Sequence, residues 1–493
     1  MANQAIIQLE PFFEKRKRLA HLLSLLSFDL ETTAPEAALE AEDDLINFYA
    51  TEYAAIQKDA EFISLVKKAK EEGDLNDAQA LLIDDLLFDI SYMEKLPIEK
   101  YTEWNRAFSK CMEVWKKAKN ASDWSMVEPY FEKLVAIKKE EAELLKLDFH
   151  KTTYDAFLSQ YEKGQTQEDI DKVFEPLKAF LIENLPHVLE KQANLKLPPL
   201  LPHDKDAQAH LSTALLEAIG YDLTRGVLRE TEHPFSDSVA RDDCRVTTHY
   251  YEEDWRSNMF SVIHEGGHAI QFQNWPDYQF KNHVDGRASA ALAETHSRFY
   301  ENIIGRSKEF APTLLNLCKT HLGGEFLQMN AEEFYNITNL VERSLIRTES
   351  DEFTYCLHII IRYELERDLI NGVIDVKDIR KAWNAKYREY LGVEVPDDAH
   401  GFLQDVHWFG GSFGYFPSYA LGNIYGAQIL HKMKEEFDVE AVMTSGDLSP
   451  ILKWLRERDF AYDYLNPKDW ILKVTGEEMN PSYFTEYLAK KFF

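Results

Sequence analysis

The run His264-Glu265-Gly266-Gly267-His268 constrains this chain more than any other segment. Apolar residues at Trp255, Met259, Val262, Ile263 and Ile270 are spaced mostly by three or four, which predicts a helix over 255–273. That helix must carry two adjacent glycines, each costing about 1 kcal/mol against alanine. Glycine helps a helix only where another backbone or a ligand approaches closely. Helical geometry also stacks residues i and i+4 on one face, so His264 and His268 can share one zinc ion. Glu265 then stands where a base for metal-activated water is needed. The bare pattern arises by chance in about one chain in twenty of this length and histidine content, so the glycine pair is what favours a metal site.

A catalytic zinc takes three protein ligands and leaves a fourth position open. Glu294, in Ala291-Leu292-Ala293-Glu294-Thr295-His296-Ser297-Arg298, follows His268 at a distance that allows a loop and a returning helix. His296 is the rival ligand, on a different face of the same helix. Zinc suits these donor types, and cobalt or manganese can occupy the same set. The expectation is one divalent ion per chain.

Composition narrows the function. A net charge of −30 opposes binding to nucleic acid or to anionic membrane surfaces. Cys111, Cys244, Cys318 and Cys356 are widely separated and form no C-x-x-C pair, so neither a thiolate metal site nor a disulfide framework is expected. A cytoplasmic location is the reading. Lys15-Arg16-Lys17-Arg18 followed by Leu19 to Phe28 has the outline of a signal peptide. However, Glu10 and Glu14 precede it, His21 interrupts it, and no small-residue cleavage site follows, so a buried helix is expected instead. No stretch approaches the ~20 apolar residues of a membrane span.

The first 200 residues read as successive amphipathic helices: Gln8 to Ser27, Ala38 to Ala60, Asp77 to Met93, Lys100 to Lys119 and Val127 to Leu147. The proline-rich stretch Leu195 to Pro202 breaks the pattern, as a domain boundary or a surface loop. Cys244 to Tyr251 alternates β-branched and aromatic residues and reads as a strand, with a second short strand around Gly226 to Thr231. Helices then resume, apart from the glycine- and aromatic-rich stretch Trp408 to Tyr415. The fold class is mostly α, with one small sheet just before the metal-binding helix.

Further motifs carry a resemblance over essentially the whole chain. His233-Pro234-Phe235 matches an H-P-F motif, and Asp243, Arg245 and Thr247 match D-x-R-x-T. Ile346-Arg347-Thr348-Glu349-Ser350-Asp351-Glu352-Phe353-Thr354 matches I-R-x-x-A-D-E-L-T, while Gly401, Gln404, Asp405, His407 and Trp408 match G-x-x-Q-D-x-H-W. Leu26-Ser27-Phe28-Asp29 matches an N-terminal Leu-x-aromatic-Asp segment. With the H-E-x-x-H and the Glu294 motif, the order resembles that of the carboxypeptidase Taq family of metallocarboxypeptidases. Two departures stand out. Ala293-Glu294-Thr295 replaces the family's His-Glu-Ser, leaving any role of that histidine lost or moved to His296. Ser350 and Phe353 replace alanine and leucine.

The resemblance implies a two-lobed helical metallopeptidase forming one unit over 1–493. Its helical N-terminal part, about 1–200, walls a deep central groove, and the catalytic part covers about 201–493. It implies removal of C-terminal residues from peptides with broad specificity, Glu265 as general base, and a homodimer. Tyr419 or Tyr415 would stabilise the oxyanion with His407 nearby, and Asp405 would orient His407 or a metal ligand. A free C-terminal carboxylate calls for an arginine fork; Arg347 is the better candidate and Arg245 the second. The strand bearing Arg245 is expected to pair with the substrate backbone as an added strand. The alternatives are an oligopeptidase or endopeptidase of the same zinc type, and a non-catalytic peptide-binding protein.

Overall fold

The computed structural model describes residues 3–493. Six helices open the chain: α1 (Gln4–Thr32), α2 (Leu39–Gln57), α3 (Ala60–Glu72), α4 (Asp77–Lys95), α5 (Ile98–Ala121) and α6 (Glu128–Leu145). α7 (Asp155–Tyr161), α8 (Gln167–Gln192) and α9 (Lys205–Ile219) lead to a sheet of β1 (Leu228–Glu230), β2 (Ser236–Ala240) and β3 (Asp243–Thr248). Then come α10 (Trp255–Gln273), α11 (Asp277–Lys281), α12 (Ala290–Arg298), α13 (Ala311–His321) and α14 (Ala331–Thr338). α15 (Glu352–Ile370), α16 (Ile379–Lys386), α17 (Phe416–Lys434), α18 (Val439–Ser445), α19 (Ser449–Arg458), α20 (Pro467–Thr475) and α21 (Ser482–Phe492) complete the chain.

The expected N-terminal helices are present, with one addition. α3 is a separate helix, capped by Asp59, whose carboxylate accepts from the Glu61 and Phe62 amides. The largest core draws on residues from Cys111 to Phe492 and so runs across the 193–204 connection, which is a surface loop. A second core, from Ala5 to Ile90, holds the first helices together. The run Leu19 to Phe28 is not the buried helix expected. Only Phe28 is buried, and the leucines are half-buried, because this part of α1 borders a cavity. No helix among the described residues is long and apolar enough to cross a membrane.

The sheet has the order β1-β3-β2, with β1 parallel and β2 antiparallel to β3. This corrects two expectations. β3 ends at Thr248 rather than Tyr251, and it is central, so its main chain is already paired on both sides and cannot receive a substrate strand. β1 and β2 are the edge strands instead, and β2 is the one the sequence does not announce. Its sequence, Ser-Asp-Ser-Val-Ala, is too polar to announce itself; it forms because β3 supplies a partner, with a bulge between Ser238 and Ala240. Thr247 of β3 binds the preceding loop, since its hydroxyl bonds the Phe235 main chain and the Thr231 hydroxyl. The His-Pro-Phe and Asp-x-Arg-x-Thr segments are thus one structural unit.

Gly267 explains itself in the packing of α10. An added Cβ would lie 2.8 Å from the His296 carbonyl oxygen and 2.9 Å from Ser297 Cα, both on α12. On the other side of α12, a Cβ at Gly422 of α17 would lie 2.8 Å from Glu294 Cβ. Glycines on both neighbours therefore let the backbone of α12 sink between them. The N-terminus of α12 is fixed as well: the buried Glu162 carboxylate accepts from the Ser289 and Ser418 hydroxyls and the Ala291 amide. Burial pushes Glu162 up to about 7 despite these donors.

A cavity of about 990 Å³ lies between α1 and α4 on one side and the end of β2 with the 283–290 segment on the other. Ser238, Val239 and Ala240 of β2 line it, as does Ser289, which caps α12.

Candidate active site

α10 starts at Asp254, whose carboxylate caps the Arg256 amide, and projects His264 and His268 from one face. Their rings lie 5.1 Å apart at 82°. Glu294 comes from α12, seated against α10 at Gly267. One donor atom each from His264, His268 and Glu294 falls within 4.8 Å of the others, with His264 Nε2 and Glu294 Oε2 separated by 3.7 Å. A tetrahedral ion with bonds of ~2.0–2.1 Å needs donors ~3.3 Å apart, so the set fits a metal after a small contraction. It is the one such cluster among the described residues.

Neighbours hold these donors in place. His264 Nδ1 bonds Glu301 Oε2 at 2.9 Å, which leaves Nε2 facing the cluster. Burial pushes His268 well below the usual imidazole range, with the nearby His264 adding to the effect. Its neutral form, the one that ligates, is favoured. Glu301 lies on a π-helical turn, Phe299–Gly305, that continues α12. Burial disfavours its charge, but Arg298 and Arg306 outweigh this and hold the carboxyl well below its usual range.

Glu265 belongs to none of these contacts. Burial raises its pKa, while His264 and the Ser236 side chain at the start of β2 act the other way. His296 points elsewhere: its Nε2 meets Asp459 at 3.0 Å in a buried pair. It is not a ligand here, because a step of two residues turns it to the opposite side of α12.

Across the cluster stand His407, Tyr415 and Tyr419. His407 Nε2 lies 3.5 Å from the Tyr419 hydroxyl, and the Tyr415 and Tyr419 rings meet edge to face at 5.0 Å. Burial pushes Tyr415 up to about 12 and Tyr419 well above the usual phenol range, so both keep their protons as donors. Both also feel the charge of Glu294. Burial lowers His407 to about 4, leaving it neutral. Glu366 pins the connecting segment by accepting from Trp408 Nε1 at 2.7 Å and the Gly414 amide at 3.2 Å.

Asp405 corrects one expectation. It does not hydrogen-bond His407; its carboxylate is shared between Arg347, at 2.8 Å, and the fully buried Arg362, at 2.6 Å. Both guanidiniums pull its pKa far down despite its burial. Gln404 completes this base, accepting from the Arg347 amide and from Arg362. Arg347 lies over the Tyr419 ring at 5.1 Å, which joins it to the tyrosine group. Arg245 is not part of that group. Its Nε and Nη2 grip Asp243 at 2.8 and 2.7 Å, and it covers Phe28 of α1.

Sequence reasoning missed Glu301 and Arg298, although a signal was present. Glu294, Arg298 and Glu301 stand at i, i+4 and i+7, one stripe of a helix. Ser236 was missed because β2 was.

The comparisons agree with this geometry. The family model described as carboxypeptidase Taq (M32) metallopeptidase matches residues 8–492. Carboxypeptidase 1 of Bacillus subtilis is 36% identical over 490 residues, covering 98% of this chain and 97% of that protein. Among solved structures, metallocarboxypeptidase 1 of Trypanosoma cruzi is 30% identical, with a TM-score of 0.94 and full coverage of both chains. A carboxypeptidase from Pyrococcus furiosus, whose structure is described as apo-Mg, is 31% identical with the same TM-score and coverage. A match of this extent, on a chain whose two histidines and glutamate converge, places the protein in the carboxypeptidase Taq (M32) family of metallopeptidases.

Proposed function

We propose that this metallocarboxypeptidase hydrolyses the last peptide bond of peptides with broad specificity, using zinc held by His264, His268 and Glu294. The observation that carries the reading is the convergence of these three donors with Glu265 beside them and Arg347 beyond the tyrosines. Zinc in this set would polarise the scissile carbonyl and acidify a water molecule. Glu265 takes the proton of the attacking water and later delivers it to the leaving amine. Tyr419 and Tyr415 donate to the oxygen that gains charge, and a neutral His407 fixes the Tyr419 hydroxyl. Arg347 receives the terminal carboxylate. Main-chain pairing with the β2 edge supports broad specificity, because such bonds ignore side-chain identity.

The ligand assignment is tested at Glu294. Glu294→Ala leaves two protein ligands, so zinc stoichiometry and affinity should both drop sharply in a chelator-competition titration. Retention of one ion at unchanged affinity would remove Glu294 from the site. Glu301→Gln probes the layer behind it. Losing the charge that orients His264 should weaken metal binding by roughly 10- to 100-fold. The measurement is the same competition titration on protein of native circular dichroism, and an unchanged affinity would leave Glu301 a purely structural partner.

A further inference from the structure

Tyr355 on α15 is claimed by no motif, yet it sits among the functional groups. Its ring lies under the Arg298 guanidinium, 4.3 Å from the centroid, and meets Tyr419 edge to face at 6.5 Å. Its hydroxyl interacts with Arg298, Arg347 and Glu294, and it in turn influences Tyr415 and Tyr419. Its ring thus sits beside Arg298 and Tyr419, and its hydroxyl beside the guanidinium of Arg347.

Hydrogen bonding of this hydroxyl is incomplete. It accepts from Arg347 Nη1 at 3.4 Å, the long limit for such a bond. The side chain is buried, and among the described residues no acceptor takes the hydroxyl hydrogen. A buried donor without an acceptor is costly unless a ligand supplies one. Arg347 shows the complementary shortage. Its Nε and Nη2 are committed to Asp405, leaving Nη1 with only the long contact to Tyr355. Two donors thus lie side by side, with only the long contact between them among the described residues.

We propose that Tyr355 is a specificity-determining residue that, with Arg347 Nη1, forms a two-donor clamp for the C-terminal carboxylate of the peptide. One carboxylate oxygen accepts from Nη1 and the other from the phenol, and the long Arg347–Tyr355 contact gives way to two short charge-assisted bonds. The phenol adds what the guanidinium lacks in this setting. Asp405 offsets much of the charge of Arg347, so a neutral second donor restores discrimination without a second buried cation. This assignment rests on the exopeptidase reading above.

Tyr355→Phe tests it, since phenylalanine keeps the ring under Arg298 and removes only the hydroxyl. The measurement is kcat/KM for one peptide as free acid and as C-terminal amide, on wild type, Tyr355→Phe and the Tyr355→Phe/Arg347→Ala double variant. The acid-over-amide ratio of Tyr355→Phe should fall roughly tenfold, mostly through KM for the acid, because a bond to a charged acceptor is worth more than one to a neutral acceptor. In the double variant the two losses should not add, since both residues hold one group. A ratio within twofold of wild type overturns the proposal, whether both rates fall together or neither does. If wild type itself fails to distinguish acid from amide, the exopeptidase reading falls, and the clamp falls with it. The two failures are therefore told apart by the wild-type ratio.

Discussion

Glu265→Gln should lower turnover by roughly 10²–10⁴-fold while the protein keeps its full complement of metal. The expectation follows from where the carboxylate stands. It is half-buried beside His264 and lies outside the set of atoms that can hold an ion. Glutamine preserves volume, so packing of α10 should be unaltered. What it cannot do is take a proton from water and return it to the amine. The measurement pairs kcat with metal stoichiometry on the same preparation. Activity within a few-fold of wild type would sink the base assignment, and loss of metal would make Glu265 a ligand instead.

Much of this site was legible in the sequence because helix geometry is periodic. His264 and His268 needed only the i, i+4 rule, and the glycine pair called for a close neighbour. That neighbour is α12, whose main chain at His296 and Ser297 occupies the space a Cβ on Gly267 would fill. Placing Glu294 on the returning helix followed from the same logic. The contacts that periodicity does not encode were the ones missed. β2 is a strand because β3 pairs with it, and nothing in Ser236 to Ala240 favours that state alone. Asp405 was expected to serve His407, yet Arg362, buried on α15, reaches the same carboxylate. A charged partner more than forty residues away leaves no local trace. Arg362 satisfies Asp405 from one side, and this decides how Arg347 can act.

The free carboxylate of the substrate should matter more than any other feature of the peptide. Arg347 is buried, sits over the Tyr419 ring and turns one nitrogen, Nη1, toward Tyr355. Asp405 is shared with Arg362, so one guanidinium charge in this cleft stays uncompensated, and a carboxylate that pairs with it contributes on the order of 2–5 kcal/mol. Amidating the C-terminus should therefore slow kcat/KM by roughly 30- to 4,000-fold, at tenfold per 1.4 kcal/mol. Arg347→Ala should erase most of that gap by lowering the rate on the free acid alone. The variant is expected to fold, because Arg362 still neutralises Asp405 and Gln404 still holds the base of the cluster. The rival arginine is less suited, since it lies over Phe28 of α1 rather than over the Tyr419 ring. Measuring acid and amide forms of one peptide on both enzymes separates the possibilities. Equal wild-type rates would make this an endopeptidase. A wild-type preference that survives in Arg347→Ala would move the carboxylate to Arg245.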